Sequence, residues 1–233
     1  MGSVVEKHLS RLNSPKRWDI KKKGIKWVTR PMPGAYPIEE GISLNVAVRD
    51  IIGYAKTAKE VRKILDKGDL LVNQKEIKEP KHIIGLMDVV SFPKIKEDFR
   101  LFSDKKGKII LKKIDSKDAK TKICSIKGKT MIKKGNVQLN LNDGRNVLTE
   151  DKKYNTRDSI ILEMPSNKIK GHLKFEKGAL VYLTAGNHVG EIGTIDSVKE
   201  NILIYKYGKD LHETSINYAL VVDKDTEKTL SKK

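Results

Sequence analysis

From Phe99 onward the chain has no room for a long helix. Runs of alternating apolar and polar residues, "FRLF", "KIILKKI", "TKICSI", "NVQLNL" and "DSIILEM", are each ended within a few positions by glycine, asparagine or aspartate. A period of two puts successive side chains on opposite faces of a strand, and the punctuating residues supply turns. The stretch from Phe99 to about Pro165 is therefore predicted to be a set of short strands. It begins with a hairpin around Asp104 to Gly107, continues as a meander turning at Gly128, Gly135 and Asp143-Gly144, and closes with "DSIILEM". Short strands at regular spacing favour a small barrel. "MPSNKIKG" then has the composition of a linker.

The same logic predicts a second β unit over "FEKGALVYLTAGNHVGEIGTIDSV", where Val181 and Leu183 alternate with Tyr182 and Thr184. Gly186, Gly190 and Gly193 place loops where a side chain would obstruct an approaching backbone. "ILIYKYG" and "YALVVD" are predicted to complete it as a final strand pair, and "KDTEKTLSKK" is a polar tail expected to fray.

The front of the chain follows different rules. "PKRWDIKKKGIKW" has no period of 2 or 3.6, and "RPMPGAYP" excludes regular structure, since each proline removes a donor and constrains its predecessor. Residues 1 to 40 are predicted to be an extended arm. Leu44, Ala47, Val48, Ile51, Ile52 and Ala55 then fall on one stripe of a helix. A second helix starts at a capping box formed by Thr57 and Glu60 and stops at Gly68. Val61, Ile64 and Leu65 share one of its faces and Lys59, Lys63 and Lys67 the other, with Arg62 at the border. "DLLV" and "EIKEP" are strands about the turn "NQK", and "HIIGLMDVVSF" returns as further β structure. The fold class is α+β, mostly β.

Charge names the first partner to consider. Lys and Arg number 48 against 30 Asp and Glu, a formal net charge of +18. Such an excess destabilises a compact state unless a polyanion neutralises it, and nucleic acid is the obvious one. Residues 1 to 34 carry nine basic and two acidic side chains and residues 96 to 170 carry twenty and ten, whereas residues 171 to 233 carry nine of each. The attraction therefore comes from the front and the middle.

Other classes are disfavoured. Cys124 is the single cysteine, so neither an internal disulfide nor a thiolate metal cluster can form. The five histidines are scattered without metal-ligand spacing, and no nucleophile motif is present. The longest apolar run, "IIGLMDVV", is interrupted by Asp88, and the N-terminus lacks a hydrophobic stretch behind its basic residues. No membrane span, signal peptide, cofactor, metal or small-molecule substrate is expected, and the compartment implied is the cytoplasm or the nucleus.

The pieces are recognisable together. "AKEVRKIL-DKGDLLVNQK" followed by "GLMDVV" resembles the helix-helix-hairpin RNA-binding module named after ribosomal protein S-four, and residues 175 to 198 resemble a KOW motif whose glycine before the second strand matches Gly190. With "HLSRLNSPKRW", "NLNDGRN" and "DSIILEMP" in this order, nearly the whole chain is similar to small-subunit ribosomal protein four of the archaeal and eukaryotic "e" type, leaning archaeal. The resemblance implies an arm (1–40), an S-four-type module (41–95), a central β-barrel (96–170), an SH3-like KOW barrel (171–223) and a polar tail (224–233). It implies a structural constituent of the small subunit that binds rRNA beside neighbouring ribosomal proteins, without homo-oligomers or catalysis. Two positions depart from the family's pattern. Gln74 replaces a glycine in the hairpin turn and demands a different turn geometry, and Tyr36 stands where a histidine is usual.

On this reading Lys56, Lys59, Arg62, Lys63 and Lys67 face ribose-phosphate backbone and Asn73, Gln74 and Lys75 sit beside a groove. In the arm, Arg11, Lys16, Arg17, Lys21, Lys22, Lys23, Lys26 and Arg30 surround Trp18 and Trp27, which either stack on RNA or pack on the protein's own barrel. Gly186, Asn187, His188 and Gly190 line a loop that suits phosphate or a neighbouring protein, and that reads equally as a barrel turn. Arg145, in the turn after Asp143-Gly144, is a further phosphate ligand. The alternatives are a KOW-bearing translation or transcription factor acting off the ribosome, and a fragment of an RNA-modifying enzyme.

Overall fold

The computed structural model describes residues 8–132, 135–151, 153–208 and 210–231. Among the described residues its architecture is three five-stranded antiparallel sheets and two small strand pairs, with a few short helices, so it is mostly β. Among the described residues no helix is long and apolar enough to cross a membrane.

The arm is folded onto the body. Strands β1 (Leu9–Ser10) and β2 (Trp27–Val28) pair with each other, and Trp18, Ile20, Val28 and Tyr36 are buried. An alternating pattern was not needed to order this segment, because its scattered apolar residues pack into the core of the next unit.

That unit opens with β3 (Ile42–Ser43), which pairs with β6 (Ile83–Ile84). The helix α1 starts at Leu44–Val46 and widens over Ala47–Ile52, ending where the Gly53 N–H reaches the Val48 carbonyl five residues back. Helix α2 (Ala58–Asp66) follows, then the hairpin of β4 (Leu71–Val72) and β5 (Lys75–Glu76). β4 also pairs with β7 (Val89–Phe92), β7 with β8 (Glu97–Ser103), and β8 with β9 (Ile109–Ile114). The hairpin around Asp104 to Gly107 therefore forms, but it extends this first sheet rather than opening the central one.

The central sheet has the order β12-β11-β10-β13-β14. β10 (Thr121–Met131) is its axis: the first half pairs with β13 (Ser159–Glu163), the second with β11 (Val137–Leu141), and a bulge between Ile126 and Gly128 separates the two. The expected turn at Gly128 is thus a bulge within a continuous strand. Turns do occur at Gly135 and at Asp143-Gly144, the latter leading into β12 (Asn146–Thr149). The expected linker is instead a turn followed by β14 (Lys168–Leu173), hydrogen-bonded to β13. Its charged residues face solvent while Ile169 and Leu173 pack inward.

The C-terminal sheet has the order β18-β17-β16-β15-β19. β15 (Leu180–Leu183), β16 (Ile192–Lys199), β17 (Ile202–Tyr207), β18 (Asp210–Ser215) and β19 (Ala219–Val221) place "ILIYKY" and "ALV" in separate ladders, so they are not the expected strand pair. The tail is helical: α3 (Lys224–Ser231) buries Thr226 and Thr229, packs Leu230 beside Phe102 and Val222, and accepts a 2.7 Å hydrogen bond at the Leu230 carbonyl from Lys112 Nζ. Thr226, Thr229 and Leu230 lie on one side of the helix, and that spacing escapes a purely compositional reading.

Candidate nucleic-acid interface

Helix α2 shows how the sequence builds a fixed cationic face. The Thr57 hydroxyl accepts from the Glu60 N–H at 3.3 Å, and the Glu60 carboxylate accepts from the Lys56 N–H at 2.8 Å. The Lys56 N–H, and then the Thr57 hydroxyl, hold the Glu60 carboxyl below the ordinary carboxylate value. Val61 and Leu65 are fully buried against α1 and β4 neighbours, which fixes the roll of the helix. Lys59, Arg62, Lys63 and Lys67 are consequently exposed, and none forms an ion pair or side-chain hydrogen bond with another described residue. Lys56 is exposed beside them.

The hairpin departs from expectation. Asn73 (φ 49) and Gln74 (φ 62) are both left-handed, the geometry of a type I′ two-residue turn, so Gln74 adopts the conformation a glycine favours rather than a different turn. Its amide is anchored, donating to the Ala119 carbonyl at 3.2 Å. Asn73 is buried, donating to Asp88 Oδ1 at 2.7 Å and accepting from the Val89 N–H at 3.0 Å. It braces the turn from inside and has no surface to offer RNA. Lys75 is exposed.

In the arm the two tryptophans separate. Trp18 is 2% exposed and donates its indole N–H to the Gly41 carbonyl at 2.9 Å, so it packs on the protein, while Trp27 is 48% exposed with Lys26 Nζ 4.9 Å from its ring centre. Arg11 and Arg17 also turn inward. Arg11 is buried, donates to the Lys21 carbonyl and lies 3.8 Å from Asp50. Arg17 donates to Ser103 Oγ at 2.7 Å and to the carbonyls of Gly107 and Thr184. Lys22 caps the Arg11 carbonyl and Ser14. Lys16, Lys21, Lys23 and Lys26 remain exposed and Arg30 is half-buried.

Arg145 is held between Asp143 and Asn167, with Nη1 2.9 Å from the Asn167 side-chain oxygen. Gly186 and Asn187 are exposed, whereas His188 sits 3.3 Å from Glu191. Gly190 has a structural reason: a Cβ there would lie 2.7 to 2.8 Å from the backbone of Asp104 and Ser103.

Sequence reasoning missed the buried support behind these surfaces. Lys122 Nζ lies 2.7 Å from both Asp88 and Asp143 and donates to the Tyr36 hydroxyl at 3.0 Å. Burial pulls its pKa down, but Asp88, the Tyr36 phenol and Asp143 outweigh it and hold the pKa well above the ordinary lysine value. The cluster ties arm, module and central sheet together. Two charged residues inside apolar runs, Asp88 in "IIGLMDVV" and Lys122 in "TKICSI", were its visible signal. Tyr36 supplies the phenol, and Gly85 lets its ring pass. Cys124 is buried beside Asp143, and burial pushes its thiol pKa far up, so it is no nucleophile. Among the described residues no group of histidine, cysteine, aspartate or glutamate is arranged to hold a metal.

A cavity of about 770 Å³ opens where the arm, the first sheet and the other two sheets meet, lined in part by Arg17, Lys127, Arg157 and Tyr218. The exposed Lys127 and Arg157 were not singled out from sequence.

Three family models match the chain in sequence: the RS4NT (NUC023) domain over residues 5–39, the S4 domain over 44–90, and ribosomal family S4e over 95–169. The small ribosomal subunit protein eS4 of Methanosphaera stadtmanae is 40% identical over 231 residues, 97% of this chain and 95% of that protein. That of Methanocaldococcus jannaschii is 43% identical over 202 residues, 83% of this chain and 82% of its own length. The crystal structure of 30S ribosomal protein S4e from Thermoplasma acidophilum superposes with a TM-score of 0.70 at 26% identity, covering 78% of this chain and 95% of that one. A capped cationic helix, a hairpin and a basic arm on one folded body, with most of the chain matched to these relatives at 40% identity or more, place the chain in the eS4 (ribosomal S4e) family of small ribosomal subunit proteins.

Proposed function

We propose that this chain is a structural constituent of the small ribosomal subunit that braces folded rRNA by neutralising its backbone, with no catalytic step of its own. The observation that carries the reading is the row Lys59, Arg62, Lys63 and Lys67: four cations held on a rigid helix with no partner among the described residues. Lys56, Lys75, Lys16, Lys21, Lys23, Lys26 and the exposed Gly186-Asn187 loop are its candidate companions. Contacts of this kind orient a protein on RNA without reading many bases.

Five functional segments follow, the arm (1–40), the S-four-type module (41–95), a central β unit (96–170), a KOW-type SH3-like unit (171–223) and the tail (224–233). Support for the KOW reading is the backbone approach at Gly190. The sheets cross two of these boundaries, since β8 and β9 extend the module and β14 runs through residue 170. Partners are small-subunit rRNA and adjacent ribosomal proteins, in the cytoplasm, one copy per particle.

Sucrose-gradient fractionation at high salt tests it. Co-sedimentation with small subunits is expected, and a pool confined to the top of the gradient would favour a factor acting off the ribosome. Isolated rRNA fragments should bind with roughly 6 to 10 phosphate contacts, so affinity falls by about 10³ to 10⁵ between roughly 50 and 200 mM salt.

A further inference from the structure

The arm carries something α2 lacks. Leu12, Ile25, Trp27 and Met32 are exposed among its lysines, whereas α2 exposes no large apolar side chain. A ligand made only of phosphates leaves such apolar surface uncovered. Beside Trp27, the His8 ring lies 5.3 Å away, tilted by 45°. His8 is also one wall of a cavity of about 440 Å³ whose other lining residues are Leu9, Asn13, Pro15, Arg30, Ile38 and Glu39. Apolar walls from Leu9, Pro15 and Ile38, an aromatic lip, the polar side chains of Asn13 and Glu39 and the cationic Arg30 match a flat heterocycle carried on an anionic backbone.

We propose that this cavity receives one unpaired nucleobase of rRNA, stacked at the His8 and Trp27 lip, and that Glu39 selects a base whose edge carries adjacent N–H donors. The site deepens the rRNA-binding reading and rests on it. An ionised carboxylate only accepts, so it matches the N1–H and N2–H of guanine as a pair. Uracil offers a single N–H flanked by two carbonyl oxygens, which the carboxylate repels. The order of preference is therefore guanine over uracil. Single-stranded loops and bulges are where RNA makes such bases available.

Tryptophan fluorescence separates the outcomes, because Trp18 is sealed in the core and Trp27 is not. The full-length protein is titrated with two RNA hairpins that differ only in a single bulged guanine or uracil, and with the fully paired duplex, following both anisotropy of labelled RNA and indole emission. Bulged RNA is expected to quench Trp27, the duplex is not, and Trp27→Phe should abolish the change. Trp27→Ala should weaken bulged-RNA binding by roughly tenfold and duplex binding little, since stacking contributes on the order of 1–3 kcal/mol per base. Glu39→Gln should erase the guanine preference without altering duplex binding. RNA that binds with unchanged Trp27 emission, or a Glu39→Gln variant that keeps the full preference, overturns this site and leaves the ribosomal reading standing. Failure to bind any of the three RNAs overturns both.

Discussion

Lys122 joins the arm, the module and the central sheet through Tyr36, Asp88 and Asp143. A buried ammonium between two carboxylates is satisfied only while all three are present, because an unpaired buried charge costs far more than a surface one. Lys122→Met is expected to destabilise the protein by about 3–5 kcal/mol, since Asp88 is then buried without a cation and Asp143 keeps only Arg145; urea unfolding at neutral pH measures it. The same cluster sets a pH dependence. Burial favours the protonated form of Asp143, but Lys122 outweighs it and lowers the pKa. The stability Asp143 contributes is therefore complete above the unfolded carboxylate value and is lost as pH falls through its lower folded value. Lys122 has the opposite sign: its raised pKa keeps its contribution intact up to the ordinary lysine value, and it is lost only as pH rises through the higher folded one. Asp143→Asn should flatten the acid limb of the stability curve, measured as urea midpoint against pH. An acid limb unchanged in that variant would place the sensitivity elsewhere.

Elements separate what was legible in the sequence from what was not. Helix α2 was readable because its determinants are local: a cap at Thr57, a stop at Gly68, and apolar and cationic stripes between. The hairpin at β8 and β9 was readable for the same reason. β14, β18 and α3 were not: "KIKGHL" and "DLHETS" carry too few apolar residues for an alternation to stand out and become strands by hairpin pairing with β13 and β17, and "KDTEKTLS" is a packed helix because Leu230 meets a distant surface. The site divides likewise. Which residues carry charge is plain in the sequence, but that Arg11, Arg17, Trp18 and Asn73 turn inward depends on partners far along the chain. Replacing Lys59, Arg62, Lys63 and Lys67 by Gln should leave thermal stability nearly unchanged and reduce the slope of log affinity against log salt by about 3. Two glycines with nearly equal dihedrals isolate steric contact from backbone strain. Gly53 (φ 82) has open space where a Cβ would project, while at Gly190 (φ 81) the same atom would meet the backbone of Asp104 and Ser103. Gly53→Ala should cost about 1–2 kcal/mol for the left-handed conformation alone. Gly190→Ala should cost more, and calorimetry of the pair gives the difference.

At the scale of the whole molecule the three sheets, each with apolar packing of its own, meet at one buried cluster. Phe102 from the first sheet, Ile123 from the central one and Tyr182 and Leu220 from the C-terminal one belong to a single buried cluster, with Met87 and Val222 completing it. Ser103 is the polar counterpart of that junction. Its N–H and carbonyl both bond the Tyr182 hydroxyl, at 2.8 and 2.9 Å, and its hydroxyl accepts from Arg17, which also reaches the Thr184 carbonyl. One residue thus holds the arm, the first sheet and the C-terminal sheet at a common point, so the cationic surfaces of the front keep a fixed geometry relative to the neutral rear. A scaffold of this kind should unfold as a unit, with calorimetric and van't Hoff enthalpies in agreement. Tyr182→Phe leaves two buried backbone groups unpaired, at a cost of about 2 kcal/mol or more. Combined with Arg17→Ala, it should uncouple the rear: amides of β15 to β19 exchange earlier than those of β7 to β9, and the single thermal transition divides in two. If exchange instead quickens equally in both sheets, the apolar cluster around Phe102 alone suffices to couple them, and the Ser103 contacts only orient the parts.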